Sequence, residues 1–82
     1  MNIERIDEAI AVLATFAGGA IEPIRFRRGG RTYRIDAINA RWVDRQTEPY
    51  ALHYSVQVGE ETCHIHFAAG EVQWFLDEVI VP

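Results

Sequence analysis

The chain has 82 residues, 49% apolar and 24% charged, which suits one small core and leaves no room for a second domain, so residues 1–82 read as a single unit. No stretch approaches the roughly 18 uninterrupted apolar residues of a membrane helix. The lone cysteine, Cys63, excludes an internal disulfide framework and any zinc site built on several thiolates. A net charge of −4 argues against indiscriminate binding of polyanions by the whole chain.

Residues 1–8 carry Glu4, Asp7 and Glu8 where a signal peptide needs a basic flank and then an apolar run. The expected location is therefore the cytoplasm, with no membrane partner. The same first stretch predicts an amphipathic helix over about 3–17. Ile3, Ile6, Ile10, Leu13 and Phe16 or Ala17 recur at three- and four-residue steps. Asn2 fits an N-cap and the early acids suit the helix dipole. Gly18-Gly19 would close the helix.

After Pro23 the apolar period changes to two, and a β-meander is expected over about 23–81. Ile24 and Phe26 alternate with arginines, then Tyr33 and Ile35 do so beyond Gly29-Gly30, a two-residue hairpin signal. That loop sets Arg28 opposite Arg31, Phe26 opposite Tyr33 and Ile24 opposite Ile35. The second strand runs on through Ala37, Ile38, Ala40 and Trp42, with a bulge or bend where the apolar phase slips between Ala37 and Ile38. Asp44 to Pro49 reads as a loop. Three further strands place Leu52, Tyr54, Val56 and Val58, then Cys63, Ile65 and Phe67, then Val72, Trp74 and Leu76 inward, before Val79-Ile80-Val81. The expected fold class is α+β: an N-terminal helix and a five-stranded antiparallel sheet. The pattern leaves open whether the sheet is flat or curls into a small partly open barrel. Domains this small gain only a few kcal/mol net, about 5 or fewer, which makes burial of a sheet edge in a homodimer one expectation.

Charge is segregated along this pattern. Residues 21–45 hold seven of the eight arginines and carry +4, whereas the remainder carries −8. The absence of lysine reads as the codon bias of a GC-rich genome, but the segregation does not. In the hairpin register Arg25, Arg27 and Arg34 share one face, with Arg28 and Arg31 flanking the turn. Guanidinium groups suit phosphates bidentately, and a β-ribbon can enter a nucleic-acid groove. The functional expectation is thus a non-catalytic binding module whose Arg25, Arg27, Arg28, Arg31 and Arg34 contact nucleic acid or an acidic protein. The plainer reading is a solvated strand face neutralised by the protein's own acids.

A second constellation competes. A two-residue turn at Gly59-Glu60 sets His53 opposite His66, and His64 shares their face. Two histidines on one strand and a third on its neighbour can hold zinc or another divalent transition metal through three nitrogens. The plainer reading is again a solvated polar face. Cys63 falls on the apolar phase and reads as a small buried hydrophobe, away from His64. Ser55 faces His64, but no acid is placed to orient that imidazole. A third alternative is an oligomeric or architectural domain with no ligand site; without a metal, no cofactor is expected.

Two resemblances attach to these residues. His64-x-His66 followed by Glu71 looks like the first metal motif of the cupins, although the chain is too short for a cupin barrel, the flanking glycines are missing and no second motif follows. Phe26-Arg27-Arg28-Gly29-Gly30-Arg31-Thr32-Tyr33-Arg34-Ile35, with Ile38, Trp42 and the later Trp74-Phe75-Leu76, resembles a group of small uncharacterised bacterial β-domains. These carry a Phe-x-x-x-Gly-Arg-x-Tyr hairpin followed by a tryptophan. The likeness spans 24–81 and omits the first element. Some of that group are associated with DNA-repair genes, which favours the nucleic-acid expectation; none supplies catalytic residues.

Overall fold

The apolar residues of the first seventeen positions satisfy two periods at once, and the strand period wins. In the computed structural model, which describes residues 1–46 and 48–82, Asn2–Ala17 is a 16-residue strand, β1. Ile10 is buried and Val12 and Ala14 pack on the core, an alternation that the helical stripe conceals. Ile3 and Leu13, two members of that stripe, are each 52% exposed. The expected α+β class and helix over 3–17 are therefore incorrect: the fold is all-β, seven antiparallel strands in a half-barrel. The physical reason is edge pairing. β1 bonds to β7 on one side and to β2 on the other, so a helix there would leave two internal sheet edges unpaired. Gly18-Gly19 is a hairpin turn rather than a helix end, with both glycines at positive φ (60° and 78°) between paired Ala17 and Ala20.

The remaining strands are β2 (Ala20–Arg28), β3 (Arg31–Arg34), β4 (Ala37–Asp44), β5 (Ala51–Val58), β6 (Glu61–Ala68) and β7 (Gln73–Val81). Their spatial order is β3-β2-β1-β7-β6-β5-β4. Five expected strands become seven because β1 joins the sheet and the second strand divides. The division falls at Ile35-Asp36, just before the expected slip, and it curls the sheet. The Ile35 amide donates to the Ile24 carbonyl (3.0 Å), whereas the Asp36 amide donates to Gln57 on β5 (2.8 Å). The chain thus crosses from one sheet edge to the other within two residues. The Asp36 carboxylate accepts from the Gly59 amide at 2.8 Å. Tyr54 Oη donates to the Ile21 carbonyl at 2.6 Å, and Arg41 pairs with Glu22 at 3.5 Å, so β5 and β4 are tied to β2 across the remaining gap.

The inner face holds the core: Ile10, Phe26, Tyr54, Val56, Cys63, Ile65, Phe67, Trp74 and Leu76. Val72 departs from the expected pattern, lying 77% exposed in the β6–β7 turn with a φ of 50°. The loop expected over Asp44 to Pro49 includes Thr47, which lies outside the described residues. β7 carries one further irregularity. Against β6, Leu76 faces Ile65 and Glu78 faces His64, leaving Asp77 as the extra residue of a bulge; against β1 the extra residue falls on the other strand, where Ile6 and Asp7 stand opposite Asp77.

Candidate functional face

Strand register lays the outer face out in rows. The hairpin pairs as expected, with Arg25 opposite Arg34, Phe26 opposite Tyr33 and Arg28 opposite Arg31. Alternation then sends Arg25, Arg27 and Arg34 outward, all exposed. On the neighbouring strand Leu13 faces Arg25 and Ala11 faces Arg27. Arg28 and Arg31 take the inner phase with Phe26 and Tyr33. The Arg28 guanidinium donates to Glu8 at 2.9 Å, and Arg31 lies 5.9 Å from the Tyr33 ring centroid. The five arginines expected to act together are thus divided three and two between faces. Among the described residues, no carboxylate oxygen lies within 4 Å of Arg25, Arg27 or Arg34.

The Glu8–Arg28 contact has an electrostatic signature. Hydrogen bonding from Arg28 holds the Glu8 carboxyl below its ordinary value and raises that of Arg28 in return.

Across β4–β7 and β1 a second row runs Trp42, His53, His66, Phe75, Ala9. The rings stand on the sheet and stack in sequence, with centroids 5.5, 5.0 and 5.1 Å apart and interplanar angles of 8°, 26° and 20°. The row ends at Ala9, a methyl group, so among the described residues Phe75 has no ring partner on that side. Phe75 holds an outward phase in a strand whose alternation is legible, whereas Trp42, which the sequence pattern runs with the apolar residues Ala37, Ile38 and Ala40, faces outward because the β4–β5 register shifts between Ile38 and Ala40.

The three histidines share this face, as the register required. His53 Nδ1 and His64 Nε2 are 3.0 Å apart, a distance at which one nitrogen donates to the other. The His66 Nδ1–H donates to Asp77, with 2.8 Å to each carboxylate oxygen. Asp77 Oδ2 also approaches His64 Nε2 at 3.6 Å, and Glu78 lies 3.8 Å from His64 Nδ1. Burial, then the neighbouring His66 and His64, push His53 below the usual histidine range. The sequence pattern places no acid beside these imidazoles; the bulge at Asp77 supplies two, because it keeps Asp77 and Glu78 on one face where strict alternation would separate them. Glu71, the acid of the cupin-like spacing, is exposed in the β6–β7 turn. Ser55 does face His64, but the short contact of that imidazole is with His53.

Cys63 is buried on the inner face, where burial and then Glu61 push its thiol up to about 11, which leaves it protonated at neutral pH. Among the described residues no helix is long and apolar enough to cross a membrane. No protein-family model, curated protein or solved structure matches the chain.

Proposed function

We propose that the protein is a binding module that holds single-stranded nucleic acid on the outer face of β1, β2 and β3. The observation that carries this reading is the Arg25–Arg34 cross-strand pair, joined by Arg27 and left without a carboxylate within 4 Å among the described residues. Like charges directly opposite one another on a sheet destabilise it, and an external anion removes that cost. Planar guanidinium groups bind phosphates through paired hydrogen bonds. The open end of the ring row adds a place for a base. A nucleobase over Ala9 extends the stack from Phe75, and the small side chains of Ala9 and Ala11 leave space above the sheet for it. Stacking of this kind is tolerant of sequence.

The test is fluorescence anisotropy of a labelled mixed-sequence DNA single strand, titrated with the full chain at several salt concentrations. Three phosphate contacts give a slope of about −2 in log affinity against log salt. Absence of binding at low salt overturns the reading. So does a glutamate-rich peptide that binds where the oligonucleotide does not, since it would assign the same arginines to an acidic protein.

A further inference from the structure

We propose that His53, His64 and Asp77 form a binding site for one divalent transition-metal ion of the zinc class. The three residues come from three adjacent strands, β5, β6 and β7, and one ligand atom from each lies within 4.8 Å of the others. The site thus differs from one built on the three histidines alone: Asp77 takes the third position, and His66 stands behind it.

The geometry fits a tetrahedral ion. Bonds of about 2.0–2.1 Å to nitrogen and oxygen separate neighbouring ligand atoms by roughly 3.4 Å. His53 Nδ1 to His64 Nε2 is 3.0 Å, and His64 Nε2 to Asp77 Oδ2 is 3.6 Å, so small rotations bring both to that spacing. Two imidazoles and one carboxylate are the donor set that zinc accepts, and three protein ligands leave a fourth position for water or another small ligand. The three ligands line a depression together with Arg5, Asp7, His66 and Glu78.

The surroundings orient the ligands. Metal-bound histidines commonly direct their other nitrogen to a carboxylate, and ligating carboxylates are themselves hydrogen-bonded. Here Glu78 lies 3.8 Å from His64 Nδ1, and His66 donates to Asp77 at 2.8 Å. The His53 ring is held between Trp42 and His66, which restricts its rotation before an ion arrives. His64, Asp77, His66 and Glu78 side chains are only 20–29% exposed, so the cluster is a shallow built recess. The β7 bulge is what assembles it, because Asp77 and Glu78 point outward together only there.

The experiment is titration of chelator-stripped full-length protein with Co2+, followed by visible absorption, and with Zn2+, followed by calorimetry and thermal melting. The expected result is one ion per chain, a four-coordinate cobalt spectrum that zinc abolishes, and a rise in Tm, since the ion binds only the folded site. His53→Ala and Asp77→Asn are expected to lose the spectrum. His66→Ala keeps its shape but weakens affinity about 10- to 100-fold, as removal of a ligand's partner does. Wild-type protein that shows neither spectrum nor Tm shift overturns the proposal without reference to any variant. A spectrum unchanged in both His53→Ala and Asp77→Asn overturns it as well. No nucleic acid is present, so failure here is separate from failure of the binding reading.

Discussion

The hairpin of β2 and β3 contains two cross-strand arginine pairs, and the fold treats them differently. Arg28 and Arg31 face inward, where Glu8 donates no proton but accepts two hydrogen bonds from Arg28, at 2.9 and 3.3 Å, and Tyr33 lies beneath Arg31. Arg25 and Arg34 face outward beside Arg27, with no acid within 4 Å among the described residues. Both pairs pay the same like-charge repulsion, yet only the inner one is relieved by the protein itself. One turn of sequence therefore holds a structural pair and a pair open to an external anion.

The strongest way to break this comparison is to remove each pair in turn. Arg25→Ala with Arg34→Ala is expected to weaken oligonucleotide affinity roughly hundredfold at low salt, from two charge-assisted contacts of about 1.5 kcal/mol each. It should also flatten the salt slope by about 1.4. Arg28→Ala with Arg31→Ala should leave the slope unchanged; equal losses in both double variants would erase the distinction. Next in size is Phe75→Ala, which should cost about tenfold in affinity through lost stacking while leaving the slope intact. Anisotropy measures both.

Stability sharpens the contrast further. Arg34→Glu turns a repulsive outer pair into an attractive one and should stabilise the fold by about 0.5 kcal/mol in urea denaturation, while abolishing binding. The smallest effect belongs to pH. Hydrogen bonding from Arg28 lowers the Glu8 carboxyl from 4.5, so its contribution to stability is complete above the unfolded value. It is lost as pH falls through the lower folded one. Urea midpoints of wild type and Glu8→Gln should therefore differ at pH 7 and converge at acid pH; parallel curves would remove the ion pair from the comparison.

Period-two alternation made β5, β6 and most of β7 legible, together with the hairpin register and the shared face of His53, His64 and His66. These depend on local parity and short turns, which sequence records directly. The first strand was misread because Ile3, Ile6, Ile10 and Leu13 fit a helical stripe while Ile10, Val12 and Ala14 fit a strand. Gly18-Gly19 favours the strand, since the same dipeptide at Gly29-Gly30 signals a hairpin. The crossing at Ile35-Asp36 and the bulge at Asp77 were not legible. The first depends on bonds to Ile24 on β2 and Gln57 on β5, the strands next to the two opposite sheet edges, and the second on the register with β6. Asp77 and Glu78 therefore join the histidines only once the whole sheet is assembled.

The most direct measurement is an NMR titration of the full chain with the single-stranded oligonucleotide at physiological salt, observing arginine side-chain Nε–Hε groups and the Phe75 ring. Shifts at Arg25, Arg27, Arg34 and Phe75, with Arg28 and Arg31 unmoved, are the expected result. Shifts centred on Arg28 and Arg31, or none in any of these groups, would contradict the assignment of the outer face as the binding surface.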